Sequence, residues 1–149
     1  MEWWKNLWKA EGTLKDKLTL WLTLSKNLFT WDNLQKRDLK GPNRCALFFS
    51  DEETIAHLFH FYSYAEAMWN TTCSELKYQG NLGTSLEHKA NAWWKDRLVR
   101  LFSALPSLFT HGIWWVRNTV IFNNKLIPIE VTSALVIQWA KEHRSQEKE

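Results

Sequence analysis

Cysteine, glycine and proline are all scarce in this chain of 149 residues, which has two Cys, five Gly and three Pro. Two cysteines, Cys45 and Cys73, could form at most one disulfide, so no disulfide framework is expected. The five glycines include no glycine-rich phosphate loop. The five histidines (57, 60, 88, 111 and 143) come with no nucleophile motif and no His-Glu-x-x-His helix. The chain is therefore expected not to be an enzyme and to have no small-molecule substrate. Long apolar runs are missing too: none approaches the roughly 18 residues needed to span a bilayer. The opening MEWWKNLWKAEG has charges among its apolar residues and no small-residue cleavage site, so it does not read as a signal peptide. An intracellular place, nuclear or cytoplasmic, and no membrane partner are expected. In a reducing compartment the thiols read as free or metal-binding before they read as a disulfide.

What the chain does have is tryptophan, 11 residues of it, within an ordinary apolar fraction of 45%. Three pairs stand out: Trp3-Trp4, Trp93-Trp94 and Trp114-Trp115. Neighbours on a helix lie about 100° apart, so both rings of a pair can border one broad apolar face. Exposed rings could stack on single-stranded bases. The pairs sit among Leu, Ile and Val more than among Lys and Arg, which favours filling gaps between helices.

Periodicity and end signals predict a mostly α-helical chain. Thr13 can cap a helix through Asn27, with Asp16 at its third position and Leu14, Leu18, Trp21, Leu22 and Leu28 as an apolar stripe. Thr30 can cap a second helix running to Leu39 and stopped by Gly41-Pro42. Residues 43–50 read as turn-like, with room for two brief strands. Another helical stretch starts near Thr54, and the Ser63/Glu66 spacing opens a fresh helix through Trp69. Lys77 to Ser85 (KYQGNLGTS) is a linker candidate. A helix over 86–105 follows, with Trp94, Leu98, Leu101, Phe102 and Leu105 on its apolar face. Pro106 then opens a helix to Phe122, and Pro128 opens one to about His143 with Val131, Leu135 and Trp139 inward. The implied organisation is a small helical domain around an irregular Cys/His knuckle (1–76), a linker (77–85) and a helical C-terminal segment (86–149).

Spacing suggests chemistry in one place only, the segment Cys45-Ala-Leu-Phe48, His57, Tyr62. Structural zinc needs four ligands in a tetrahedron, and a Cys-x-x-Cys turn with a later His and Cys supplies them. In this sequence Cys45 and His57 are present. TWDNLQKRDLKGPNRCALF, followed by EETIAHLFHFYSYAEAMW, resembles the zinc-binding domain of plant non-LTR (LINE-type) retrotransposon reverse transcriptases. Thr30, Asp32, Leu34 and Arg37 match that family's "T-x-D-x-L-x-x-R" helix, and Cys45 matches its first ligand. Glu53-Thr54 and His57-Leu58-Phe59 match the segment of the third ligand, and Trp69 matches a closing Trp. The likeness covers roughly residues 14–70. Gly112 to Phe122 is similar to the "W-x-x-R-N-x-x-I/V-F" helix that follows in such polyproteins.

The resemblance implies a zinc knuckle in which Phe48 and Tyr62 stand where the second and fourth ligands belong. Phe and Tyr codons are each a single base change from Cys, as expected of a degenerate copy. Zinc supplies on the order of 10 kcal/mol of folding energy. Two buried rings supply only about 1.5–3 kcal/mol each. Zinc binding here is thus expected to be weak or absent, with Cys45 and His57 the remaining ligands. A substitute set of Cys45, His57, His60 and Cys73 has no spacing rule in its favour. Lys26, Lys36, Arg37, Lys40 and Arg44 face only Asp32 and Asp38 over residues 26–44, a local excess that equals the whole chain's +3. Lys36, Arg37, Lys40 and Arg44 are accordingly candidates for phosphate contact with RNA or DNA, although a solvated helix face would look the same. The family reading implies a non-catalytic domain that assists nucleic-acid recognition. The alternative is a Trp-rich helical module that binds another protein, with neither metal nor nucleic acid.

Overall fold

The computed structural model describes residues 3–41, 44–45, 47, 52–61, 63–78, 85–96 and 102–143. They are mostly helical, and no strand occurs among them. The helices are α1 (Trp3–Lys9), α2 (Leu14–Leu24), α3 (Trp31–Gln35), α4 (Ser63–Glu75), α5 (Leu86–Lys95), α6 (Leu105–Asn123) and α7 (Ile129–Glu142), with a π-helical turn at His57–Phe61 before α4. No described helix is long and apolar enough to cross a membrane.

The end signals in the sequence work as expected at several places. Thr13 Oγ1 accepts from the Asp16 N–H (3.2 Å) and donates to the Asp16 carboxylate (2.8 Å), which fixes the start of α2. Pro106 lies in the first turn of α6, and Pro128 caps α7. Thr54 Oγ1 accepts from the His57 N–H (3.0 Å) and so starts the π-turn segment. The helix ends show the scarcity of glycine. After α2, α3 and α4 the left-handed residues are Lys26 (φ 64°), Asp38 (φ 61°) and Lys77 (φ 57°). Each precedes an N–H that closes the helix five residues back: Asn27 to Leu22 (2.8 Å), Leu39 to Leu34 (3.1 Å) and Tyr78 to Cys73 (2.8 Å). This is the closure that glycine normally serves.

Two helices are shorter than the sequence predicts. The stretch 30–39 is regular only over α3, and then turns at Asp38. Gly41 does more than stop it, because a Cβ there would run into the Trp31 ring. The predicted helix 86–105 ends at Lys95, with Asp96 extended (φ −85°, ψ 118°). Its expected residues Leu98 and Leu101 lie outside the described residues. The indoles of Trp93 and Trp94 explain the reversal: they donate to the carbonyls of Phe102 and Ser103 (2.9 Å each), tying the following chain back onto α5.

Two inward faces also differ from the expected ones. In α2 the buried side chains are Asp16, Leu20 and Thr23, while Leu14, Leu18 and Trp21 are exposed; of the expected stripe Leu28, just beyond the helix, is in the core. In α7 the buried side chains are Thr132, Ser133, Val136 and Ala140; of the expected three, Trp139 packs half-buried against the core, Leu135 is half-buried and Val131 is exposed. The reason is close helix approach. A Cβ at Gly112 on α6 would sit 2.9 Å from Val136 and 3.2 Å from Met68, a spacing that admits small residues on α7 and no Leu or Trp. On α2, Asp16 is drawn inward by its own cap and by His111 of α6, whose Nδ1 is 3.6 Å from the carboxylate.

One core cluster contains Leu7 of α1, Leu20 of α2, Met68 and Trp69 of α4, Trp93 of α5, Phe109 and Ile113 of α6 and Val136 of α7. Its centre is aromatic: Trp69 meets Phe109 edge to face (centroids 4.4 Å apart, 88°) and Trp93 (6.0 Å), and Tyr78 meets Trp93 (5.1 Å). α2 packs on α6 and α4 on α7, so the core draws on both sides of the stretch 77–85, of which 79–84 lie outside the described residues. Tyr64 fastens α4 to the connection before α7 and to α7 itself: its hydroxyl donates to the Ile127 carbonyl and pairs with Thr132 Oγ1, both at 2.7 Å.

Glycine relieves the left-handed conformation that costs other residues roughly 1–2 kcal/mol, at the expense of more chain entropy in the unfolded state. Lys77→Gly is therefore expected to raise the stability by about 0.5–1 kcal/mol in urea unfolding. Unchanged or lower stability would show that the lysine side chain contributes more than its backbone costs.

Candidate functional site

The segment that carries the Cys/His signal lies between α3 and α4. Cys45 is buried in the core cluster and is not in a disulfide. His57 is half-buried at the start of the π-turn. Phe48 and Tyr62, the residues in the place of the other two ligands, lie outside the described residues. Among the described residues no group of three or more Cys, His, Asp or Glu is arranged to hold a metal ion. Among the described residues of this segment, one thiol and one imidazole alone are two donors short of a closed tetrahedral site and do not by themselves fit a structural zinc ion.

Cys73, of the substitute set, belongs to another element. It is buried on α4, and burial pushes its thiol from an ordinary 9.0 up to about 12, against a smaller downward pull from Lys89. Lys89 is buried on α5, and burial lowers its pKa while Glu66 and Cys73 act to raise it. The His60 side chain, the last of the substitute set, is outside what is described.

What holds this segment is an ion pair that the sequence did not disclose. Glu53 is fully buried and Arg117 of α6 is 4% exposed. Arg117 Nε donates to Glu53 Oε2 (3.0 Å) and Nη2 to Oε1 (2.6 Å), a two-pronged contact. Glu53 Oε1 also accepts from the Trp31 N–H (3.0 Å), and the Glu53 carbonyl accepts from the Asp32 N–H (3.4 Å). A carboxylate and a carbonyl thus cap the start of α3, where orphan N–H groups need acceptors. The remaining guanidinium nitrogen donates to Asn118 Oδ1 (2.8 Å). The guanidinium lies over the Trp114 ring at 4.4 Å, with the Trp31 ring 5.9 Å away. Thr30, which the sequence proposed as the cap of this helix, instead hydrogen-bonds the Asp32 side chain and makes no side-chain contact to the helix backbone.

Both members of the pair sit in the two stretches singled out above, Glu53-Thr54 and Gly112 to Phe122, yet neither was read as a partner of the other. A signal existed: each is a charge set among residues that pack, Arg117 within IWWVRNTVIF. Spacing along the chain could not join positions 64 residues apart.

The basic candidates lie on the surface beside α3. Lys36, Arg37, Lys40 and Arg44 are all exposed. Arg37 is partly engaged, with its guanidinium 5.0 Å above the Phe29 ring. Lys36 lines a cleft of about 400 Å³ together with Lys26, Asp32, Asn33, Thr54 and Glu87. Lys40 lines a shallower hollow with Gln35, Asp38 and Gly41. Lys36 and Lys26 therefore share one depression, Lys40 opens onto another, and acidic groups lie in both.

Residues 1–69 match a protein-family model described as zinc-binding in reverse transcriptase. No curated protein and no solved structure matches the chain. The matched stretch ends within α4 and includes Glu53, whereas Arg117 lies beyond it.

Removing one member of a buried, fully hydrogen-bonded pair costs about 3–5 kcal/mol, because the other charge is left without a partner. Arg117→Ala is expected to destabilise the chain by about that amount in denaturant unfolding, and the double substitution Glu53→Gln, Arg117→Met by clearly less. Equal losses in both would mean that packing, not charge, carries the contact. Burial of Cys73 gives a second expectation. Its folded pKa is raised, so above pH 9.0 the unfolded thiol ionises first, and stability falls as the pH rises from 9.0 towards about 12. Cys73→Ala should remove up to about 1.4 kcal/mol per pH unit of that slope in thermal or urea unfolding at alkaline pH.

Proposed function

Since residues 1–69 carry the reverse transcriptase zinc-binding domain, we propose that this chain is a non-catalytic, degenerate copy of that domain from a plant LINE-type retrotransposon polyprotein. In this reading it has lost two of four zinc ligands and assists nucleic-acid recognition through the basic edge beside α3. The observation that carries the reading is the family match over a stretch in which Cys45 and His57 keep the ligand register while positions 48 and 62 hold Phe and Tyr. Two further features support it. Phe48 and Tyr62 stand where the resemblance places the second and fourth ligands, and the segment is tied to α6 through Glu53 and Arg117, an attachment that needs no metal. Lys36, Arg37, Lys40 and Arg44 are exposed on one stretch next to it and open to a polyanion.

Cobalt is a suitable probe, because tetrahedral thiolate coordination gives a strong visible absorption band. The purified chain is expected to show no such band and no stoichiometric zinc, and Phe48→Cys with Tyr62→Cys should create both. A band in the unaltered chain would reject the loss of the site. For the basic edge, binding to a single-stranded RNA oligonucleotide should weaken with salt. Each phosphate contact on a single strand contributes about 0.7 to the log–log slope, so replacing Lys36, Arg37, Lys40 and Arg44 by Ala should flatten it by up to about 2.8. No affinity at low salt, or an unchanged slope in the variant, would remove nucleic acid from the proposal.

A further inference from the structure

The most apolar stripe of α2 points away from the core. Leu14, Leu18 and Trp21 follow one another at helical spacing and are 65%, 41% and 37% exposed. α1 adds Trp4 and Trp8, one turn apart and 43% exposed each. Lys17 Nζ reaches the Trp8 carbonyl at 3.4 Å, so the Trp8 turn of α1 lies on the Trp21 side of α2 and extends the stripe sideways. Five large apolar side chains on two adjacent helices exceed the scattered single exposures of an ordinary surface.

The rim of this face is basic. Lys5, Lys9 and Lys15 are exposed and Lys17 is half-buried on the same two helices. The exposed carboxylate among the described residues here is Glu11, since Asp16 is buried against Thr13 and His111. Lys9, Lys15 and Lys17 against Glu11 would repel a second copy of the chain brought face to face. Stacked bases would suit the three Trp rings but leave Leu14 and Leu18, the centre of the stripe, without a fitting contact. A helix with its own apolar stripe fits both the leucines and the rings, and acidic residues along its flanks would answer the lysines.

We propose that the α1–α2 face docks an amphipathic helix of a partner protein whose apolar stripe is flanked by Asp and Glu. This site lies apart from the Cys/His segment and does not depend on metal or on the basic edge beside α3. The probes are two synthetic helical peptides with the same leucine stripe, one flanked by Glu and one by Lys, titrated into the full chain and followed by calorimetry. The acidic peptide is expected to bind, and the basic one to bind at least about tenfold more weakly. Leu18→Glu and Trp8→Ala should each weaken the acidic peptide at least about tenfold with unchanged helicity, while Val131→Glu on exposed α7 should leave it unaltered. Equal affinity for both peptides, no binding of either, or equal weakening by Val131→Glu overturns the proposal. So does a dimer abolished by Leu18→Glu, which would assign the face to a second copy. Binding of an oligouridylate that is lost on Trp4→Ala and Trp8→Ala, without peptide binding, would assign it to nucleic acid.

Discussion

The carboxylate of Glu53 joins three parts of the chain that would otherwise have little to hold them in register. Its oxygens take two guanidinium donors from Arg117 on α6 and the N–H of Trp31 at the start of α3. A buried charge of this kind is tolerated only where hydrogen bonds replace the water it has lost. Here the guanidinium is also matched, through Asn118 and the Trp114 face. The contact therefore fixes the position of α3, the entry to the π-turn and the orientation of α6 at once.

That arrangement bears on how the Cys/His segment is held in place. A structural zinc ion would pin the segment to itself by bonding four side chains within a short stretch. The ion pair pins it to the longest helix of the chain instead, and Cys45 lies in the core as an apolar side chain would. The family-matched stretch does not close its own core: α2 packs on α6, and α4 packs on α7. Its helices depend on residues well beyond Trp69, and the Trp69–Phe109 contact crosses that boundary directly.

The inward faces of α2 and α7 show how packing distance reorders hydrophobic preference. Helices brought close at Gly112 accept Thr132 and Val136 between them, while Trp139 packs at the side of the contact against His111 and Val131 is left exposed. On α2 the buried Asp16 is matched by Thr13 and by His111, whose pKa is lowered mainly by burial and pulled back up by that same carboxylate. A consequence of turning α2 this way is that Leu14, Leu18 and Trp21 are left at the surface beside the tryptophans of α1.

The sequence by itself determined the helical class, the start of α2 at Thr13, the starts of α6 and α7 at their prolines, and the likeness of residues 1–69 to the zinc-binding family model. All of these rest on local geometry or on residue types at short, fixed spacing. It did not disclose α1, a seven-residue helix without an acidic first turn or cap to announce it. The length of α5 was misjudged because two indole hydrogen bonds to Phe102 and Ser103 outweigh a continuous apolar period. Which face of α2 or α7 turns inward, and which charge answers Glu53, only the tertiary structure decided. Periodicity gives the angle between side chains on one helix, but not the distance to the next helix or the identity of a partner 64 residues away.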